Sequence, residues 1–321
     1  MNTFSRWLLA ATLMTGSLAM AQGDAYPSKP IQIVITSTPG SASDAITRVL
    51  GNEVTKTLGQ PIVVISKASA AGTIGADFVK RSPPDGYTLF FGGNTTMAAN
   101  VYLVKSLSYD PVRDFEPITL VSVNPLLLVV RSSLPVKTVA ELVAYAKAHP
   151  GEMNYGVGNS GARVAAQLMM TGTGLKAQDI SFNGASQAAL ELVAGRLDFM
   201  FVDPLVVDSF IQQGTLRPLA VSSSVRLPSM PNLPTMQEAG LKGYDYSSWL
   251  GYYAPRGTPK AIIDKLNGAF AQAIQSPEAQ DYFRRMGMIG RSSAPDGLAA
   301  FNKDQITSWG RWVKEAGLQA Q

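Results

Sequence analysis

The chain has 321 residues, a formal net charge of +4, one histidine and no cysteine. These counts exclude disulfides, thiolate catalysis, zinc–thiolate sites, a lipid-anchored cysteine and a histidine-rich metal centre. Charges are interspersed, with no basic stripe to hold nucleic acid, and the length accommodates two domains.

At the N-terminus, Arg6 precedes the apolar run Trp7-Leu8-Leu9-Ala10-Ala11-Thr12-Leu13-Met14, and Ala19-Met20-Ala21 forms an A-x-A cleavage pattern. Residues 1–21 therefore read as a signal peptide. The run is shorter than the roughly 20 apolar residues a bilayer crossing needs. Cleavage after Ala21 would release a mature chain starting at Gln22 into the periplasm. No later segment reads as membrane-spanning.

Residues 31–36 predict a strand, and residues 44–58 a helix, with Ile46, Val49, Leu50, Val54 and Leu58 at helical spacing. Residues 62–65 read as a buried strand, 73–80 as a helix and 88–91 as a third strand. That strand leads through Gly92-Gly93-Asn94 into another helix. The β-α-β-α-β rhythm predicts a parallel sheet with crossover helices. It resumes with a strand over 126–130 and a helix over 138–148, stopped by His149-Pro150-Gly151. Helices then follow Asn154-Tyr155, Ile180-Ser181-Phe182 and Phe199-Met200-Phe201-Val202. Leu219-Ala220-Val221 is a strand running into Pro228, Pro231 and Pro234, and the tail reads as helices over 259–275, 277–286 and 295–316.

No flexible linker separates the two α/β halves. They are expected to be lobes joined by strand-like crossings near 121–124 and 222–233, with the tail helices returning to the first lobe. Lobe 1 is thus residues 22–123 plus 234–321, and lobe 2 is residues 124–233.

A series of short motifs runs the length of the mature chain. It starts with Tyr26-Pro27-Ser28-Lys29-Pro30-Ile31, Pro39-Gly40-Ser41-Ala42-Ser43-Asp44 and Leu58-Gly59-Gln60-Pro61. Ala71-Gly72-Thr73-Ile74-Gly75, Pro84-Asp85-Gly86-Tyr87 and Tyr109-Asp110-Pro111 follow. Leu134-Pro135-Val136-Lys137-Thr138, Gly195-Arg196-Leu197-Asp198, Leu233-Pro234-Thr235-Met236 and Pro255-Arg256-Gly257-Thr258-Pro259 complete it. In this order and spacing the chain resembles the Bug-type receptors of tripartite tricarboxylate transporters. The resemblance implies an α/β fold of the two-lobed, type II-like periplasmic-binding-protein kind. Each lobe would be a mainly parallel sheet flanked by helices, with a ligand cleft between. It further implies a non-enzymatic monomer, without cofactor or metal. Such a receptor hands a di- or tricarboxylate, or an aromatic acid such as terephthalate, to a separate membrane permease.

Helix N-termini at the carboxyl ends of strands can hold such an anion without a buried cation. The first suitable turn is Thr38-Pro39-Gly40-Ser41-Ala42-Ser43-Asp44, where Ser43 alternatively serves as an ordinary helix cap. Related receptors carry glycines in place of Ser41 and Ala42. Asn94 and Thr95 form a second first-lobe turn. In Gly156-Val157-Gly158-Asn159-Ser160-Gly161-Ala162-Arg163, candidates are Asn159, Ser160, Gly161, Ala162 and Arg163; the last would pair with a carboxylate or simply be solvated. The same stretch is formally G-x-G-x-x-G, with Asp179 downstream, but an exported chain gives a dinucleotide no place. Gly184-Ala185-Ser186-Gln187 supplies a third set of donors; Ala188 breaks its likeness to a nucleophile elbow. Asp203 follows a strand, and Trp249 is either cleft wall or core. His149 belongs to a helix end. A secreted hydrolase and a ligand-presenting sensor subunit stay open as rivals; the first lacks a complete nucleophile motif, and the second would use the same pocket.

Overall fold

The computed structural model describes residues 26–69, 71–182, 184–315 and 319–320. The signal segment with its cleavage site, Asn183 in the third turn, and Ala316 at the expected tail-helix end lie outside the described residues.

β1 (Ile31–Ile35) is almost wholly apolar and lies inside its sheet. α1 (Ala42–Leu58) presents Ile46, Leu50 and Val54, one turn apart, to the core, and ends at Gly59, whose left-handed φ of 71° only glycine takes cheaply. β2 (Ile62–Ser66) forms the sheet edge, so the expected buried strand is only partly covered, with Val63 40% exposed. An unbroken apolar run does not tell edge from centre. α2 (Thr73–Lys80) leads to β3 (Thr88–Gly93), then a π-helical turn, Thr95–Ala99, and α3 (Asn100–Leu103). β4 (Phe115–Pro125) completes this portion, and its residues 122–124 pair with 248–250 inside the first sheet.

The second sheet uses β5 (Leu127–Arg131), β6 (Asn154–Val157), β7 (Gln178–Ser181), β8 (Phe199–Val202) and β9 (Leu216–Val221). Between them run α4 (Val139–Ala148), α5 (Ser160–Thr173), α6 (Ala185–Val193) and α7 (Pro204–Gln212). β10 (Ser247–Pro255) then returns to the first sheet. α8 (Lys260–Ile274), α9 (Pro277–Arg285), the short β11 (Ile289–Gly290) and α10 (Pro295–Glu315) close the described chain.

The first sheet has the order β2-β1-β3-β10-β4-β11 and the second β7-β6-β8-β5-β9. In each, the first three strands are parallel. In each, the fourth has just crossed from the other sheet and runs antiparallel to both neighbours. The sheets are therefore mixed rather than mainly parallel. The two-lobed α/β architecture stands, and its crossing strands impose the antiparallel pairs.

The chain changes sheet at Leu126, between β4 and β5, and again across 222–246. Ser222 ties these passages together. Its Oγ accepts from the Leu126 N–H at 2.8 Å and donates to the Tyr246 carbonyl at 2.7 Å. Its own N–H and C=O reach the Leu126 carbonyl and the Tyr246 N–H. α10 spans the junction: Trp312 lies 5.3 Å from the Tyr246 ring, and Trp309 packs edge-on to Trp312.

Candidate functional site

Strand ends and helix starts from both sheets meet at one cavity of about 370 Å³. Its first-sheet wall holds Thr36, just past β1, Ser43 in the first turn of α1, and the bend Gly93-Asn94-Thr95-Thr96 after β3. The second sheet supplies Asn159, Ser160 and Gly161 at the start of α5, and Asp203 ahead of α7. Leu126, Tyr246, Ser248, Trp249 and Leu250 line it from the crossing segments, and Trp309 from α10. A larger hollow of about 470 Å³ lies between β4, β10, α8 and α10. Its charges include Arg256–Glu116 at 3.3 Å and Lys260–Asp264 at 2.7 Å, already paired with each other.

Ser41, not Ser43, caps α1, its Oγ accepting from the Asp44 N–H at 3.3 Å. Asp44 answers by accepting from the Gly40 N–H at 2.9 Å, close to a capping box. Arg48 hydrogen-bonds the same carboxylate at 3.0 Å; that bond and the Gly40 N–H hold its pKa below the ordinary range. Moving the cap back two residues turns Ser43 into the cavity, while Thr38 and Gly40 are exposed and neither they, Ser41 nor Ala42 line it.

Gly93 permits the close approach of β3 to β10, since a Cβ there would fall 2.3 Å from the Trp249 carbonyl oxygen. The chain then bends at Asn94, whose Oδ1 accepts from the Trp309 indole N–H at 2.7 Å. The Thr96 hydroxyl lies 3.2 Å from the Gly93 N–H, which donates to it.

The three glycines of the G-x-G-x-x-G stretch are packing residues. A Cβ on Gly156 would come within 2.7 Å of Leu197, on Gly158 within 2.5 Å of the Ala185 backbone, and on Gly161 within 2.6 Å of the Tyr246 Oη. Asn159 caps α5, accepting from the Ala162 N–H at 2.8 Å. Ala162 is buried beneath this cap and does not line the cavity. Arg163 is committed elsewhere: its Nε and Nη2 reach the two Asp179 carboxylate oxygens at 2.7 and 3.2 Å, and Nη2 also meets the Ser181 Oγ at 2.6 Å. Burial alone would raise the Asp179 pKa, but Arg163, with help from the Ser181 and Tyr155 hydroxyls, outweighs it and lowers it. Gly184 and Ala185 pack behind the Gly158 turn, and Ser186 and Gln187 are exposed; none of the four lines the cavity. Thus Ser43, Asn94, Thr95, Asn159, Ser160, Gly161, Asp203 and Trp249 come together. The remainder of the expected set stands apart.

Thr36, Tyr246, Ser248 and Trp309 are lining residues that the sequence reading did not single out. Thr36 could have been found from its place just beyond a strand's carboxyl end. Trp309 carries no local signal, because its partner Asn94 is 215 residues away. Tyr246 and Trp249 are each 1% exposed, and neither the Tyr246 Oη nor the Trp249 Nε1 has a hydrogen-bond partner among the described residues. Burial raises the Tyr246 pKa far above the usual tyrosine range, against a smaller lowering by the neighbouring Asn94 amide and with a slight push from Asp203. The Asp203 carboxyl has no side-chain partner either, and burial raises its pKa above that of an ordinary aspartate. No lysine, arginine or histidine lines the cavity among the described residues.

Two lobes that share a polar cavity at their junction define a solute-binding receptor. The sequence profile described as "Tripartite tricarboxylate transporter family receptor" matches residues 46–318, and the chain belongs to that family. It is 33% identical to Protein BugT of Bordetella pertussis over 307 residues, covering 95% of this chain and 94% of BugT. Among solved structures, "R. palustris Rpa4515 with adipate" superposes with a TM-score of 0.76 at 31% identity, over 92% of this chain and 100% of that one. "MatC (Rpa3494) from Rhodopseudomonas palustris with bound malate" gives 0.71 at 30% identity, over 90% and 100%. The family is one of solute-binding receptors, not enzymes.

Proposed function

We propose that this chain is exported to the periplasm, captures a small carboxylate between its lobes and delivers it to the membrane permease of a tripartite tricarboxylate-type transporter. The observation that carries the reading is the convergence, on one cavity, of the α1 and α5 N-termini from opposite sheets. Both present first-turn N–H groups and the positive end of a helix dipole. Hydroxyls of Ser43, Thr95, Ser160 and Tyr246 and the Trp249 indole add uncharged donors. The adipate and malate named for two related structures are carboxylates of this size.

A micromolar ligand requires about 8 kcal/mol. Each helix terminus contributes at most about 2 kcal/mol when partly buried. Three or four hydrogen bonds to charged oxygen, at roughly 1.5–3 kcal/mol each, supply the remainder once water is excluded. The test is a thermal-shift screen of the purified mature protein against carboxylates and neutral sugars. A ligand at about 100 times its Kd adds about 2.7 kcal/mol of stability. A midpoint raised by uncharged compounds alone would refute the reading.

A further inference from the structure

We propose that the cavity selects a carboxylate that also carries a cationic nitrogen, and that Asp203 is the residue that reads this second group. The inference rests on the carboxylate reading above and narrows it to zwitterions of the amino-acid class.

The argument is one of charge balance. Among the described residues, Asp203 is the only Asp or Glu that lines the cavity, and no basic side chain lines it to offset that charge. The nearby cations are engaged: Arg48 on Asp44, and Arg163 on Asp179 and Ser181. Across from Asp203 stands Tyr246, uncharged and buried. On its own element Asp203 precedes Pro204, which has no N–H, and it makes no side-chain cap of α7. Its carboxyl therefore has no structural duty in the helix it precedes. From the first lobe, Gly287 packs on Pro204 beside it, while Arg284 and Arg285 in the preceding helix are bound to Asp281.

A dianionic guest held between the two helix N-termini would put a further negative charge near this largely desolvated carboxylate. Like charges in such a place repel strongly, and one must be neutralised by a proton or an opposite charge. An ammonium or similar donor on the guest meets that demand, while its carboxylate takes the N–H groups of α1 and α5. Desolvation of Asp203, which lines the cavity without a cationic partner, fits a group that is completed by its ligand.

The experiment is isothermal titration at near-neutral pH with pairs matched in length: succinate and 4-aminobutyrate, glutarate and 5-aminopentanoate, adipate and 6-aminohexanoate. In at least one pair the amino acid should bind about 10-fold or more tighter than the diacid. Asp203→Asn should erase that preference, weakening the amino acid by about 10-fold and strengthening the diacid. Because Asp203 caps nothing, the variant should keep its fold, checked by its thermal midpoint. A diacid that binds tighter than its partner in every pair overturns the inference, as does an unchanged ratio in Asp203→Asn or the failure of any amino acid to bind. In each case the carboxylate reading survives if the diacids or simple aromatic acids bind, and falls only if no carboxylate does.

Discussion

Replacing Ser222 by alanine tests whether the lobes are held in register by one hydroxyl. Ser222 is wholly buried, and its Oγ is the partner of both the Leu126 N–H and the Tyr246 carbonyl, at 2.8 and 2.7 Å. Removing it leaves a buried donor and a buried acceptor unmatched, since Leu126 and Tyr246 are themselves covered. An unsatisfied buried group costs about 1–3 kcal/mol. Backbone adjustment around the small void can recover part of this, so the net loss should be about 2–4 kcal/mol. At roughly 2–4 °C per kcal/mol for a large domain, the midpoint should fall by about 4–16 °C. Differential scanning calorimetry of the ligand-free protein reads this directly. Ser223→Ala is the control: its Oγ bonds only to the Val225 carbonyl, a contact within one loop, and its midpoint should fall by no more than about half as much. Equal shifts in the two variants, or a Ser222→Ala shift under about 1 °C, would refute the idea that this hydroxyl joins the crossings.

Gly161→Ala puts a methyl 2.6 Å from the Tyr246 Oη, so the ring must move. Overpacking of about 1–3 kcal/mol should exceed alanine's helix advantage of about 1 kcal/mol, and a higher midpoint in a thermal melt would contradict the packing. Arg163→Ala should lower the midpoint by a few degrees, because the half-exposed pair with Asp179 contributes about 1 kcal/mol or less. It should leave ligand affinity within about twofold, measured by titration; a loss near tenfold would put Arg163 on the ligand after all. Asp203→Asn should stabilise the protein without added ligand at neutral pH, because burial disfavours the charged carboxylate. The folded state raises this pKa by burial, so the folded form binds the proton more tightly and stability declines as pH climbs above the unfolded aspartate value. The variant's advantage should therefore shrink as pH falls towards about 4, the unfolded value, and a constant difference across that range in pH-dependent melts would contradict the burial.

Much of the fold was legible because its helices obey one rule. α1, α2 and α4 have apolar residues one turn apart and clear ends, and Thr138 caps α4 by accepting from the Glu141 N–H. The central strands of the first sheet were harder. β4 contains Pro117 and ends at Pro125, and such residues argue against a strand. β4 is tolerated because its outer neighbour is only the two-residue β11, which pairs at Ser122 and Val123, well away from Pro117. β10 starts with two serines and contains a glycine, so its period-two signal is weak, and neighbouring strands rather than local preference make it extended. In the site, turns at helix starts were visible as short polar runs, but which side of each turn faces the cavity was not. A two-residue shift of the α1 cap, from Ser43 to Ser41, exchanges which hydroxyl points inward. Arg163 was ambiguous for a different reason: only the register of β7 against β6 brings Asp179 within its reach.

The exchange of fourth strands has a temporal consequence. β3 and β4 never touch directly, because β10 is wedged between them. During synthesis, the first sheet must therefore wait, split in two, until Pro255 at the end of β10 has emerged. The second sheet is complete within residues 127–221, but the first cannot be finished from its own contiguous stretch, so its closure is late, and slow because such distant partners must meet. A truncation ahead of β10 should leave the three-stranded β2-β1-β3 ribbon and an unpaired β4, whereas one just after β10 still closes the first sheet apart from β11.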